Sequence, residues 1–456
     1  MNFEPYIAKY REDLIRSVQE NIRIPSVQGP AMPDAPYGEA VRDSLLHALK
    51  TAEELGFRTC NLDNHIGWAE FGDGKEMIGI LGHLDVVPEG EGWTYPPYGA
   101  EIHDEKIFGR GTIDDKGPSI AALYAMAALR DSCLPLKRRV RVILGCNEET
   151  GSGDIRHYLE TGSELPVMGF TPDAEYPVIN GEKGIITSIF KTQFAQSGDL
   201  ILEEISGGTA ANVVPHYAKA KFRCRPEVIS GLASLCSEKV KITPDADGFL
   251  LEAFGESAHG STPELGENAI GRLLIAMAKL PLCPDLLFKV QFLAGNIGME
   301  CDGTSAGIGL WDEPSGKLSL NLGTVRGNES SMELCINYRY PVTCSYDACA
   351  PVFNSLMAEM GFPLSREFHK EQLYIPADSQ LIRTLMGVYT AETGRTEPPK
   401  CIGGGTYAKS MPNMVAFGPV FPGDILCEHK ADEHISIDNL LRNTRIIASA
   451  MYELAK

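Results

Sequence analysis

Ile78-Gly79-Ile80-Leu81-Gly82-His83-Leu84-Asp85-Val86-Val87-Pro88 is the stretch on which the reading of this chain turns. An apolar run rich in β-branched residues predicts a buried strand. The strand delivers an imidazole, with a carboxylate two residues on, where a Pro- and Gly-containing loop begins. In an open α/β sheet, ligands gather outside the carboxyl ends of the strands. A neutral histidine held by a nearby carboxylate is what a metal site asks of its surroundings. His83 is therefore a candidate metal ligand, and Asp85 the group that holds its ring.

Three later segments repeat the pattern. Ile107-Phe-Gly-Arg-Gly-Thr-Ile leads to Asp114-Asp115-Lys-Gly-Pro118, and Pro118 suits the first turn of the helix that SIAALYAMAALR continues. Val140-Arg-Val-Ile-Leu-Gly-Cys146 reads as another buried strand and ends in Asn147-Glu148-Glu149. A strand near Val167–Phe170 ends at Thr171-Pro172-Asp173-Ala174-Glu175. Each motif alone has a plainer reading: a satisfied core pair, a helix start that favours acids, a solvated loop or a turn. Together they differ, because one shared sheet would direct all four toward one rim. A histidine with three or four oxygens suits divalent zinc, cobalt or manganese, not a soft thiolate site. The count is enough for two metals sharing one carboxylate, about 3.5–4 Å apart. The spare glutamate then serves as a base toward water.

The rest of the chain frames that rim. Phe3, Tyr6, Ile7, Tyr10, Leu14 and Val18 recur at helical spacing, and further helices are expected over Val41–Leu55 and Asp154–Leu159. Alternating strands and helices predict an α/β catalytic domain with a mixed, mostly parallel sheet flanked by helices. From about Gly184 the texture changes. Strand-like runs at Ile185–Thr192, Leu200–Glu204, Ala218–Cys224 and Phe249–Phe254 surround helices near Glu227–Lys239 and Glu267–Leu280. A second set follows: Leu318–Leu322, Glu333–Tyr340, a helix near Tyr346–Gly361 and a strand toward Tyr374. This predicts an inserted α+β lid domain of two β-α-β-type units. The expected boundaries are 1–184 for the first catalytic segment, 185–374 for the lid and 375–456 for the second catalytic segment, which ends in a helix from Ile437 to Leu454.

Composition narrows the function. With 41 Lys+Arg against 61 Asp+Glu, the formal charge is 41 − 61 = −20. That balance opposes nucleic acid or an anionic membrane as a main partner. The 12 cysteines include no Cys-x-x-Cys pair and read as reduced thiols. The N-terminal stretch lacks a positive segment followed by an apolar one, and no apolar run approaches the ~20 residues of a membrane span. A cytoplasmic location is expected.

His83-Leu-Asp85, Gly109-Arg-Gly-Thr-Ile-Asp114-Asp115-Lys-Gly, Asn147-Glu148-Glu149 and Pro172-Asp173-Ala-Glu closely resemble the dizinc exopeptidases. That family includes aminoacylases, glutamate carboxypeptidases, succinyl-diaminopimelate desuccinylase and carnosinase. The long insertion, Thr171-Pro-Asp-Ala-Glu-Tyr-Pro and Gly403-Gly-Gly-Thr-Tyr407 are most similar to its bacterial dipeptidase V type. The resemblance implies two divalent metal ions, zinc first and manganese or cobalt as alternatives. One takes His83 and Asp173, the other Glu149 and a late histidine, and Asp114 bridges them. The late histidine is His429, since Glu428-His429-Lys-Ala-Asp-Glu433 resembles the family's His-x-x-x-Glu. Glu148 becomes the general base, Asp85 orients His83, and the Asp114–Asp115 peptide is expected to be cis. Ser257-Ala-His259-Gly-Ser resembles the family's oxyanion-stabilising histidine. Asn212, Arg339 and the loop Gly404, Gly405 and Thr406 resemble groups that bind a peptide's C-terminal carboxylate, and Arg suits that task through its bidentate fork.

The expected activity is hydrolysis of dipeptides bearing a free amine and a free carboxylate, through a metal-bridging hydroxide. Asp115 or Asp173 is a candidate partner for the substrate amine. The alternatives are an N-acyl-amino-acid hydrolase or carboxypeptidase of the same family, or a metal-dependent peptide-binding protein without catalysis. The partners are then small peptides, and a monomer is expected, with a dimer as the alternative.

Overall fold

The computed structural model describes residues 2–232 and 235–456. The chain divides into two compact units. The first comprises the residues up to Asn180, Ile375–Lys400 and Gly405–Lys456, and the second Gly181–Tyr374 with Cys401–Gly404.

The first unit is built on a twisted mixed sheet. Its strands run in the order Arg58–Leu62, Ile66–Phe71, Arg139–Gly145, Met77–His83, Met168–Thr171, Met414–Ala416 and Ile179–Glu182. The central four are parallel, while a hairpin at one side and Ile179 at the other pair antiparallel. Every residue of Met77–His83 is buried, as the continuous apolar run requires of a strand covered on both faces. Helices Glu4–Ile22, Glu39–Glu54, Lys116–Asp131, Gln380–Thr393 and Ile437–Ala455 flank the sheet. Lys116–Asp131 is buried along nearly its whole length, and its many alanines let neighbouring backbones approach closely.

Strand register sets the rim. His83 lies opposite Gly145, and Ile80 lies opposite both Val142 and Phe170. The residues just past these strand ends, Asp85, Asn147 to Glu149 and Asp173, therefore emerge at one level of the sheet.

The second unit has one continuous eight-stranded antiparallel sheet. Its order is Val240–Pro244, Gly248–Phe254, Tyr217–Cys224, Leu200–Gly207, Ser319–Asn328, Ser331–Tyr340, Gly184–Gln193 and Leu364–Lys370. Two split β-α-β units are visible within it. Tyr217–Cys224 and Val240–Pro244 flank Gly248–Phe254 and are joined through helix Pro226–Ser230; Ser331–Tyr340 and Leu364–Lys370 flank Gly184–Gln193 and are joined through Ala350–Glu359. Pairing of Leu200–Gly207 with Ser319–Asn328 fuses them. Phe190, Phe222, Leu274, Ile336 and Phe353 belong to its core.

Several elements differ from expectation. The helix expected over Glu227–Lys239 is described only as Pro226–Ser230; residues 233–234 of that span lie outside the described residues. Helix Pro284–Asn296 carried no clear sequence signal, whereas edge strand Leu364–Lys370 lies where a strand toward Tyr374 is expected. The helix mixes aromatic and β-branched residues and buries only Leu286, Lys289, Val290 and Leu293; the strand has no buried face at all. Among the described residues, no helix is long and apolar enough to cross a membrane.

Ile80 is fully buried at the centre of the parallel strands. Ile80→Ala is expected to lower unfolding free energy by about 2–5 kcal/mol, read from denaturant titration. A loss under about 1 kcal/mol would contradict this placement of the strand.

Candidate functional site

The side chains at the rim converge on Asp114. Its Oδ1 is 3.0 Å from His83 Nε2, and its Oδ2 is 3.0 Å from His429 Nε2. Asp173 Oδ2 lies 3.7 Å from the same nitrogen of His83, and Glu149 Oε1 3.1 Å from that of His429. Two sets of candidate donor atoms thus share one carboxylate: His83 and Asp173 on one side, Glu149 and His429 on the other. Among the described residues, His83, Asp114 and Glu149 form a group whose ligand atoms all fall within 4.8 Å of one another.

Backbone geometry delivers these groups from different elements. His83 ends its strand, and Asp114 precedes helix Lys116–Asp131 across a cis Asp114–Asp115 peptide. Glu149 follows strand Arg139–Gly145, and Asp173 follows Met168–Thr171. His429 comes from a late loop and adopts a left-handed backbone conformation, φ 60°, which few non-glycine residues take up without a local reason.

The donor set fits a divalent cation. His83 Nε2 is fully buried and has no hydrogen-bond partner, although Asp114 Oδ1 sits 3.0 Å away. That separation without hydrogen-bond geometry is close to the ~3.3 Å between two atoms each about 2.0–2.1 Å from one tetrahedral ion. The charges point the same way. Burial lowers the His83 pKa, but Asp114 and Asp85 more than reverse it and hold it well above the usual value. Burial and the Asp114 charge push Asp173 up to about 7. Burial, joined by Asp173 and Glu149, likewise raises Glu148 well above the carboxylate range. Asp114 and Glu149 raise His429 to about 11. Anionic groups crowded in a low-dielectric rim call for added positive charge, which a divalent ion supplies.

Around this centre, buried polar groups grip the loops. His83 Nδ1 donates to the backbone carbonyl of Asp85 at 2.9 Å, whereas the Asp85 carboxylate is 3.5 Å from that nitrogen. The ring is therefore held by the Asp85 backbone, which fixes the tautomer that leaves Nε2 as a donor to metal. The Asp85 carboxylate instead accepts the N–H groups of Glu148 and Glu149, each at 3.1 Å. Asp115 is buried; its Oδ2 accepts from His83 N–H and the Ser119 hydroxyl at 3.0 and 2.9 Å, while its Oδ1 is buried with no hydrogen-bond partner.

Glu433 is a residue whose part the sequence did not show. Fully buried, it accepts from Arg110 at 2.6 Å and from the N–H groups of Gly111, Ile113 and Asp114 at 2.9, 3.1 and 3.3 Å. It clamps the loop that presents Asp114. Burial pushes its pKa up to about 7. Lys116 was also missed; its buried ammonium donates to the carbonyls of Asn21 and Ile24, and burial lowers it to about 7. Both stand in motifs quoted above, Glu433 as the Glu of His-x-x-x-Glu and Lys116 in Asp-Asp-Lys-Gly, but the motifs do not show what they bond to, because most of those partners are backbone groups remote in the chain.

In the second unit, Arg339 is buried and donates to Asn337 at 3.1 Å and to the Gly403 carbonyl at 2.6 Å; burial lowers its pKa to about 10. His259 Nδ1 lies 2.6 Å from the Ser261 hydroxyl, and its backbone bridges Val213. Gly260 N–H donates to the Asn212 carbonyl at 2.7 Å. Gly403 packs so tightly on Ser261 that a Cβ there would fall 2.5 Å from the serine Cβ. Asn212, His259, Arg339 and Gly403 are thus linked through short contacts. Gly404 precedes the return to the first unit, which holds Gly405 and Thr406, and the Thr406 hydroxyl caps the turn at Tyr407–Ser410.

Residues 79–453 match the sequence model of "Peptidase family M20/M25/M40". The chain is 39% identical to the putative dipeptidase YtjP of Bacillus subtilis, with all of both chains covered. It is 31% identical to the Beta-Ala-Xaa dipeptidase of Lactobacillus delbrueckii subsp. lactis, over 100% of this chain and 99% of that one. Human carnosine dipeptidase 1 shares the fold, with a TM-score of 0.59 at 15% identity over 99% of this chain and 98% of the other.

Removing the clamp strands a buried guanidinium and three backbone donors. Glu433→Ala is expected to cost about 3–5 kcal/mol of stability by chemical unfolding. A change below about 1 kcal/mol would show that Arg110 and the 111–114 backbone do not depend on it.

Proposed function

This chain belongs to peptidase family M20/M25/M40, and we propose that within it the protein is a dinuclear-metal dipeptidase. The observation that carries the reading is Asp114, whose two oxygens each stand 3.0 Å from the Nε2 of a different histidine. The names of the bacterial relatives supply the substrate class.

His83 and Asp173 would hold one ion, Glu149 and His429 the other, and Asp114 would serve both; zinc is the first choice, with manganese or cobalt as alternatives. When bound, the pair supplies Lewis acidity toward the scissile carbonyl and toward water. Glu148 accepts a proton from the attacking water and returns it to the departing amine. A carboxyl whose pKa is raised by burial, as that of Glu148 is, suits both directions of transfer. Asp85 keeps the Glu148 backbone and the His83 ring in place together. His259 stabilises the oxyanion, and Asn212 and Arg339, with Gly404, Gly405 and Thr406, receive the C-terminal carboxylate. Asp115 or Asp173 is the candidate partner for the substrate's free amine.

Two measurements test this reading. Glu148→Gln is expected to retain metal, by elemental analysis, and to lose about 10²–10⁴ in kcat on unblocked dipeptides; wild-type turnover in the variant would remove Glu148 from the mechanism. N-acetylated versions of the same dipeptides are expected to be poor substrates. Faster cleavage of the blocked forms would favour an N-acyl-amino-acid hydrolase.

A further inference from the structure

Four consecutive backbone N–H groups, those of Cys146, Asn147, Glu148 and Glu149, run through the loop that presents the proposed base. Asp85 accepts the last two. The first two go to Asp154 Oδ2, at 2.6 and 3.0 Å. The Tyr407 hydroxyl donates to that same oxygen, and it also lies 3.3 Å from the Asn147 N–H. Asp154 and Tyr407 are both fully buried, and they reach the loop from helix Gly153–Glu160 and from the segment that follows Gly403-Gly404-Gly405-Thr406. The Tyr407 ring also meets His83 edge to face, with centroids 6.0 Å apart.

This is more than a helix start satisfying itself. Asp154 Oδ1 serves the helix, through Ile155 N–H at 2.7 Å, while Oδ2 is turned back to the strand end. The space is kept open by Gly145, where a Cβ would lie 2.6 Å from Tyr407 Cε2 and 2.7 Å from Asp154 Oδ2. The Asn147 side chain then closes the loop on itself by accepting from Gly153 N–H at 2.9 Å.

Resting on the function proposed above, we infer that Asp154 and Tyr407 are positioning residues for Glu148. Their shared hydrogen bonds suspend the 146–149 backbone, so that the carboxylate of Glu148 meets the reacting water at a fixed height above the strand ends. Neither touches substrate in this role. Misplacing a reacting group by about 1 Å costs about 10²-fold in rate, so loosening one end of the suspension is expected to act on kcat and leave substrate binding intact.

The test uses full-length, metal-loaded Tyr407→Phe, which keeps the ring against His83 and removes only the hydroxyl, with Asp154→Asn as the second variant. Thermal unfolding and metal content establish that each is folded and loaded. Unblocked dipeptide turnover and hydrogen exchange of the 146–149 amides are then compared with wild type. The expected result for Tyr407→Phe is kcat down at least about tenfold, KM within about twofold, and faster exchange confined to 146–149. Asp154→Asn, which loses half of the acceptor, is expected to show larger changes of the same kind. Wild-type kcat in Tyr407→Phe, unchanged exchange at 146–149, or a rise in KM with kcat intact would each overturn the inference. A wild-type enzyme inactive on dipeptides would overturn the function proposed above, and the exchange measurement would still decide whether the loop hangs from Asp154 and Tyr407.

Discussion

One carboxylate shared between two imidazoles organises this molecule. Asp114 stands 3.0 Å from His83 on one side and 3.0 Å from His429 on the other, residues far apart in sequence. With Asp173 and Glu149 beside them, negative charge accumulates where burial makes charge expensive. Without a compensating cation the arrangement opposes itself: burial and mutual repulsion push Asp173 up to about 7. With a divalent cation on each side, the same crowding becomes affinity.

Holding such groups together needs more than ligands. Three segments at the rim are each gripped by a buried carboxylate that accepts backbone N–H groups. Glu433 takes those of Gly111, Ile113 and Asp114; Asp85 takes those of Glu148 and Glu149; Asp115 takes that of His83. A buried acceptor serving several donors is directional, and it costs a full desolvation penalty if its partners leave. The rim is therefore stiff where chemistry needs fixed distances.

Much of this was readable in the chain. The His83 strand was legible because a central parallel strand, buried on both faces, leaves a continuous apolar run. His83, Glu149 and Asp173 drew notice because each ends or follows such a run, and register carries them to one level, whereas Asp114 arrives from a loop outside that sheet. His429 was not accessible to that logic, since it sits in an irregular loop; only resemblance to the family's His-x-x-x-Glu pointed to it. The supports were silent for another reason. Glu433 and Lys116 bond to backbone atoms of remote segments and Asp154 to those of the loop just before its helix, and backbone partners leave no pattern of residue types. Asp85 shows the limit most clearly: the sequence offered its carboxylate as the partner of the His83 ring, and the structure gives that bond to its backbone carbonyl, leaving the side chain to hold the glutamate loop. In the second unit, helix Pro284–Asn296 was hidden because its apolar residues, the exposed Phe288 among them, do not keep to the one face by which helices are recognised.

Anomalous diffraction from crystals grown with zinc tests the central claim most directly. Two ions per chain are expected, about 3.5–4 Å apart, with Asp114 between them, His83 and Asp173 on one, and Glu149 and His429 on the other. A single ion, or two ions that do not share Asp114, would contradict the account.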